Sequence, residues 1–577
     1  MIEGSILVDG TASGPLLTSD TGLSFWGGID LSNGEIIDQH HPLLGSNISG
    51  CMLAIPNGRG SCSGSGALLE LVLNNCAPSA LIFSEAEDIL TLGVLVAEAL
   101  FQCSIPVLRL SRTDFKALRH STTATIRGNK LFLDHKKNAI PSDVPPPSVT
   151  IDSTVALSEL DQEILAGTHG KAASMAMNIL LKIANIQGAE SLIDVTQAHI
   201  DACIYHGPSS LRFAKELNDL GAKFIIPTTL NAISVDQRNW RHHGIDESKG
   251  QPASDLGDIY MHMGAQLSYT CAPYLLDSAP SFGEQIVWAE SNAVMFANSV
   301  LGARTQKYPD FLDVFIALTG RAPASGSHLD HGRNPTVCIE VEALDNPDES
   351  LWPLLGYFIG LHAGNDIPLI IGLGGHNPDA DDLKAFSAAY ATTGSSSMFH
   401  MEGITPEASD ALEYCKNKGL LEKPLTVSKR NLLNSYLELN SAKQPMVDAV
   451  CLGNPHFSVA ECSRLAKLCS GRKKDPNVRV MVTLGRAVLE KSNACSSIET
   501  LEKFGVQFIT DTCWCMINDP LIPSSAKILM TNSGKYAHYG PALVKRGIHF
   551  GTMAACVEAA CTGKHVAAAP VWLQSPP

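Results

Sequence analysis

Several residue types able to do chemistry crowd into one stretch, TCAPYLLDSAPSFGEQIVWAESNAVMFANSVLGART, residues 270–305. Cys271 offers a soft metal ligand. Glu290, Ser291, Asn292, Asn298 and Arg304 add an acid/base and hydrogen-bonding inventory. The bland alternative is a buried cysteine followed by a helix start, because Ser and Asn cap helices well and free cysteines are usually core residues.

Other stretches repeat this pairing of reactive residues with turn-forming ones. The loop GRGSCSGSG, residues 58–66, runs into the apolar run ALLELVLNN. Its glycines let backbone amides converge at a helix N-terminus, which favours a bound anion or an alkoxide on Ser61. Arg59, two residues away, makes an acid/base pair with Ser61 conceivable. The loop lacks the Lys-Ser/Thr ending of a nucleotide P-loop. In TNSGKYAHYGP, residues 531–541, Lys535 follows a small-residue turn, where it could neutralise a carboxylate. His199 and Asp201 in QAHIDACIYHG read as a metal pair, an acid/base pair, or a histidine satisfied by the backbone. His40 and His41 are adjacent and would point apart on a strand. Cys271, Cys513 and Cys556 each follow a strand-like run, and Cys513 with Cys515 forms the only close pair among these. Thiolates gathered from distant strand ends are what an iron–sulfur cluster takes, although buried core cysteines look the same in sequence.

The elements that must position these residues fall into two regions. Residues 1–135 read as a small β-rich α/β or barrel-like unit, with strands at CMLAIP, ALIFS and IPVLRL, a helix over roughly 86–103, and a hairpin turning at Gly128-Asn129. A Pro-rich stretch, residues 136–150, reads as a stiff linker on which the first region could swing. Residues 151–577 alternate helix and strand, with strands at SLIDVTQ, KFIIPTT, QLSYT, PLIIGLGG, AVCLGN, RVMVTLG and VQFITDT. Such alternation predicts parallel sheets covered by helices, with ligands beyond the carboxyl ends of strands. QAHID, TTLNA, GNPHFS and DTCWC all stand at such ends.

Composition narrows the function class. At 577 residues, with 45% hydrophobic and 17% charged residues, the chain predicts several globular domains. Its apolar runs are too short, or too acidic, for a membrane span. A net charge of −16 with scattered basic residues disfavours nucleic acid and points to a small-molecule substrate. The N-terminus lacks a basic start and an apolar signal core, so a cytoplasmic protein is expected. Sixteen cysteines then mean thiols or metal ligands rather than a disulfide framework.

In this order, LSFWGGID, DQHHPLLG, GRGSCSGSG, the Pro-rich joint, QAHIDACIYHG, PTTLNA, CAPYLL, WAESNAVMFANSVLGART, GNPHFS, DTC and NSGKYAHYGP resemble the aconitase X family. The resemblance spans nearly the whole chain and implies an α/β protein: a small swivel domain joined to a large aconitase-like catalytic region. It implies a dehydratase whose iron–sulfur cluster acts as a Lewis acid. Two activities go with the family, dehydration of cis-3-hydroxy-L-proline in fused chains and of phosphomevalonate in two-subunit ones, and the fusion here favours the first. The substrate would be a hydroxylated cyclic amino acid, and the protein a monomer or weak homo-oligomer. A non-catalytic iron–sulfur sensor and a serine hydrolase are the rival classes; no G-x-S-x-G elbow surrounds Ser61. The resemblance implies Cys271, Cys513 and Cys556 as metal ligands, and a base role for Ser61. It implies substrate contacts around Ala198, His199, Asn231, Ala232, Glu290, Ser291 and Lys535. Lys535 would balance charge, and Glu290 would serve as an acid for the leaving hydroxyl. Asn454 stands where the two-subunit pattern has a cluster cysteine, which favours a two-iron over a four-iron cluster.

Overall fold

The computed structural model describes residues 1–133, 155–565 and 568–574. The Pro-rich segment 136–150 lies outside the described residues. The described chain forms two compact units, one made of residues 1–195, 206–226 and 308–325, the other of 196–205, 227–307 and 326–577. The unit holding the first 133 residues therefore also takes in three later pieces of chain.

In the first unit an eight-stranded sheet runs in the order Ile2–Glu3, Lys130–Leu133, Thr123–Arg127, Thr11–Thr18, Met52–Ala54, Ala80–Phe83, Val107–Arg109, Ser5–Val8. The middle strands, from Thr11–Thr18 to Val107–Arg109, are parallel and fully apolar where they cross the core. Helices Gly64–Leu73 and Ile89–Phe101 supply the crossovers parallel strands require. The expected hairpin is present, with Leu131 opposite Ile126 and Gly128 at a φ of 55°, in the left-handed region that favours glycine.

The SLIDVTQ strand shortens to Leu192–Asp194 and pairs antiparallel with Arg321–Pro323. Arg321 binds Asp161 at 2.7 Å and also Asp194. Burial opposes the Asp161 charge, but donors from Arg321 and Ser158 outweigh it and hold the carboxyl below its usual range. Asp161 is fully buried, whereas Asp194 is exposed and adds little. Arg321→Ala leaves the Asp161 charge buried without its partner, so a loss of about 3–5 kcal/mol is expected, read from the midpoint of urea unfolding.

The second unit contains three parallel sheets. Three strands run in the order Thr228–Leu230, Ala198–Ile200, Val287–Trp288. Four run as His400–Met401, Pro368–Ile371, Val337–Val341, Leu425–Val427. Five run as Val506–Ile509, Arg479–Leu484, Ala449–Phe457, Ile528–Thr531, Gly547–Phe550. The alternation read from sequence thus produces the expected parallel sheets. Two of the expected strands do not form as read. KFII precedes a strand that begins only at Thr228. QLSYT is an extended segment tied to its neighbour by Gln266 N–H to Thr228 O and Thr270 N–H to Leu230 O; Tyr269, at a φ of 39°, interrupts regular pairing. Among the described residues no helix is long and apolar enough to cross a membrane.

Candidate active site

The carboxyl ends of two parallel sheets in the second unit carry most of the expected site. From the three-stranded sheet come His199, Asn231 and Glu290, on or just after strands Ala198–Ile200, Thr228–Leu230 and Val287–Trp288. From the five-stranded sheet come Asn454, Cys513 and Lys535, at or after Ala449–Phe457, Val506–Ile509 and Ile528–Thr531. Ile233 N–H donates to Asp511 O at 2.7 Å, joining the two groups of loops.

Three thiols meet here. Cys271 and Cys515 both donate to Cys513 Sγ, and these bonds, with the nearby Lys535 charge, hold the Cys513 thiol well below its usual range despite burial. Cys271 is pushed up, first by burial, and Cys515 first by its bond to Cys513. Further donors surround the sulfurs: His456 N–H reaches Cys271 Sγ at 3.3 Å, and Asn454 Nδ2 lies 3.4 Å from Cys515 Sγ and 3.7 Å from Cys513 Sγ. Asn454 Oδ1 accepts from Ser533 Oγ at 3.3 Å, which orients the amide with its nitrogen toward the sulfurs. Trp514, between the two cysteines, anchors the loop by donating to Leu452 O at 2.6 Å. The His456 ring spans Thr270 Oγ1 at 3.1 Å and Thr512 O at 2.8 Å; the carbonyl requires a donor, so Nε2 carries the proton.

Cys556, expected among the metal ligands, does not join this group of thiols. It sits on the first turn of helix Met553–Thr562, buried in the apolar core that includes Cys462, Leu465, Val480 and Val557. Burial pushes its thiol up, and the next influence is Glu349. Cys515 joins the other two thiols instead. The C-x-C spacing of Cys513 and Cys515 was the signal that pointed to it. Among the described residues, no three His, Cys, Asp or Glu side chains converge on a single metal ion.

Lys535 is the second residue of helix Gly534–Val544, capped by Ser533, and its Nζ lies 2.7 Å from Glu290 Oε1. Burial works against the ammonium, but Glu290 and the three thiols outweigh it and hold Lys535 well above its usual range. Glu290 is the N-cap of helix Ser291–Phe296: its Oε2 accepts from Ala293 N–H at 2.9 Å and from Asn292 Nδ2. Asn292 is fixed in turn by Cys271 O at 3.0 Å and Tyr274 OH at 2.8 Å.

The remaining expected contacts are mostly occupied within the protein. Ala198 donates to Pro227 O, and its carbonyl accepts from Thr229 Oγ1. Ala232 N–H is taken by Asn231 Oδ1 at 2.7 Å, while Asn231 Nδ2 binds Asp201. His199 Nδ1 meets Thr229 Oγ1 at 2.8 Å, and burial, only partly offset by a hydrogen bond to the Thr270 backbone, pulls its pKa down to about 3. It is a neutral imidazole. Ser291 is buried at the first position of its helix. Asn298 binds Thr305, Ser397 and Arg333, and Arg304 binds Asp330, so both serve the fold around them.

In the first unit, Ser61 lies in the loop before helix Gly64–Leu73. Its Oγ is 3.2 Å from both the Ser63 N–H, which donates to it, and Ser63 Oγ. The suggested partnership of Ser61 with Arg59 does not form, because the Arg59 guanidinium binds Asp38 at 2.9 Å.

Family models match four successive parts of this chain: the aconitase X swivel domain at residues 1–134, and its first, second and third domains at 154–331, 335–436 and 447–562. The chain belongs to the aconitase X family. A cis-3-hydroxy-L-proline dehydratase of Pseudomonas aeruginosa is 50% identical over 580 residues, covering 99% of this chain and 98% of that one. An enzyme of the same name from Hypocrea jecorina is 50% identical over 568 residues, covering 97% and 95%. The holo-form crystal structure of Thermococcus kodakaraensis aconitase X superposes with a TM-score of 0.63 at 29% identity, covering 70% of this chain and all of that one. In this aconitase X chain the three thiols, Asn454, Lys535 and Glu290 lie within one unit, and Ser61 lies in the other.

Proposed function

We propose that this chain is a hydro-lyase that removes water from cis-3-hydroxy-L-proline to give Δ1-pyrroline-2-carboxylate. The observation that carries this reading is a buried ammonium, Lys535, acting on three thiols, Cys271 and Cys515 each bonded to Cys513, on loops beyond parallel strands. Two relatives of nearly the same length bear the name of that activity.

The donor set fits an iron–sulfur group. Cys271, Cys513 and Cys515 bring three thiols together, and thiolates are the ligands such clusters take. Cys271, Cys513 and Cys515 would hold it, and the two-iron form is proposed because Asn454, an amide donor here, stands where the two-subunit pattern has a cluster cysteine. When bound, such a cluster supplies Lewis acidity toward the hydroxyl of the substrate.

The rest of the work falls to side chains. Removing the α-proton builds negative charge beside the substrate carboxylate, and Lys535 is positioned to balance it. Ser61 is the proposed base. Its Oγ accepts the Ser63 N–H at the start of a helix, which favours the deprotonated oxygen. The electrons of the broken Cα–H bond form the C2–C3 double bond, the C3–O bond breaks, and the hydroxyl leaves as water with the proton that Ser61 took from Cα. Transfer of the enamine N–H proton to C3 then gives the cyclic imine. Every contact of Glu290 described above is with a donor, which suits a charge partner better than the proton donor expected from the resemblance.

Anaerobically purified, iron-loaded protein is expected to convert cis-3-hydroxy-L-proline to a species trapped by o-aminobenzaldehyde, and to leave phosphomevalonate unchanged. Turnover of phosphomevalonate alone, or of neither compound, refutes the assignment.

A further inference from the structure

The loop that carries Ser61 is fastened at a distance from Ser61 itself. We infer that Glu70 is a positioning residue for this serine: its carboxylate caps helix Pro208–Asp219 and so fixes helix Gly64–Leu73, with the Ser61 loop ahead of it, to the segment that begins at His206. The inference rests on the base role proposed for Ser61 above.

Helix Pro208–Asp219 cannot cap itself. Its N-cap, Gly207, has no side chain, and Pro208 has no N–H, so the first donor at this end is Ser209 N–H. Glu70 Oε2 accepts that N–H at 2.9 Å, and Oε1 accepts Asn74 Nδ2 at 3.0 Å. Glu70 is 4% exposed, so these donors and the positive end of the helix carry its charge. The two stretches of chain approach so closely that a Cβ on Gly207 would lie 2.3 Å from Glu70 Cδ.

Further contacts tie the same turns. A Cβ on Gly66 would lie 2.6 Å from His206 Cδ2. Ser65 Oγ donates to Asp310 O at 3.0 Å, and Asp310 N–H donates to Cys62 O at 3.2 Å, one residue from Ser61. Residues 61–73, 206–210 and 310 all lie in the first unit. Residues 206–226 continue the chain that leaves strand Ala198–Ile200, so the serine's loop is fastened to chain leading out of a strand of the site. The hydrogen bond from Ser209 N–H to the Glu70 carboxylate is the charge-assisted one of the set, and charge-assisted bonds are the strong ones. A base displaced by about 1 Å is enough to slow a reaction by about 10²-fold.

Hydrogen exchange read by mass spectrometry tests the fastening on full-length, iron-loaded protein and does not depend on turnover. Two variants attack it from opposite sides: Glu70→Ala, and Gly207→Ala, which pushes the carboxylate away while Glu70 stays in place. Both are expected to speed exchange in peptides covering residues 59–66, with strands Met52–Ala54 and Ala80–Phe83 unchanged. On cis-3-hydroxy-L-proline both are expected to lower kcat by about 10- to 100-fold, with substrate affinity by calorimetry and iron content unchanged. Glu70→Gln, which keeps an acceptor for Ser209 N–H, should recover part of the loss. A role through Ser61 further requires that Glu70→Ala cause no additional fall in a Ser61→Ala background, whereas a general loss of stability acts in both. Unchanged exchange at the loop, a wild-type kcat in Glu70→Ala, equal losses in the two backgrounds, or failure of all three variants to fold overturns the positioning role. A wild-type kcat in Ser61→Ala removes the base role itself and the positioning role with it. Faster exchange at the loop in a protein that does not turn over cis-3-hydroxy-L-proline upholds the fastening and counts against the proposed reaction alone.

Discussion

Ser61→Ala is expected to lower kcat on cis-3-hydroxy-L-proline by about 10²- to 10⁴-fold, the range general-base catalysis supplies. Iron content and visible spectrum should not change, because the proposed cluster ligands lie in the other unit. The fold should survive as well. Among the described residues Ser61 Oγ bonds locally, to Ser63, while the helix that follows is held by its buried apolar residues, among them Leu68, Leu69 and Leu71. Substrate affinity, measured by calorimetry, should fall far less than kcat, since a base acts on the transition state more than on the bound ground state. A variant that retains wild-type kcat removes Ser61 from the mechanism. One that unfolds or loses iron shows that the loop has a structural role instead.

Cys513→Ser is expected to have the second large effect: loss of most of the bound iron and sulfide, and bleaching of the visible absorbance. Cys513 is the middle member of the three thiols, and its sulfur is the one that its neighbours and Lys535 favour as a thiolate. A serine hydroxyl in its place ionises poorly and is a hard ligand, ill matched to iron–sulfur chemistry. Cys556→Ser is the control. It buries a hydroxyl among apolar side chains and should cost about 1–3 kcal/mol of stability while leaving iron content and spectrum intact. Bleaching by Cys556→Ser, or an unaltered spectrum in Cys513→Ser, reverses the ligand assignment.

These two cysteines show how far sequence reading reached. Both follow strand-like runs, and both are buried, so periodicity and burial assign them alike. What separates them is the contact each sulfur makes. Cys556 stands on a helix turn in the apolar core that also holds Val480 and Leu465, whereas Cys513 lies on a loop pinned by Trp514 to strand Ala449–Phe457, with Cys515 beside it. The C-x-C spacing marked the closeness of 513 and 515, but closeness along the chain does not reveal which sulfurs Cys271 meets. QLSYT reads as a strand because its composition suits one, yet Tyr269 takes a left-handed conformation and the segment stays outside the named strands. Arg59 and Ser61 are neighbours in sequence, but the buried Asp38 offers the guanidinium a full charge, a stronger partner than a neutral hydroxyl.

By itself the amino-acid sequence determined the α/β class, the parallel sheets, the strand ends at which polar residues collect, and, through its motifs, the family. These follow from local patterns: apolar periodicity, turn residues and fixed spacing are properties of short stretches of chain. Only the tertiary structure decided that Lys535 pairs with Glu290, 245 residues away, that Cys515 rather than Cys556 completes the thiol group, and that Asn454 turns its amide nitrogen toward sulfur. Each of these depends on which strand ends become neighbours and how their loops bend. That is settled by packing across the whole unit, and no local stretch of sequence records it.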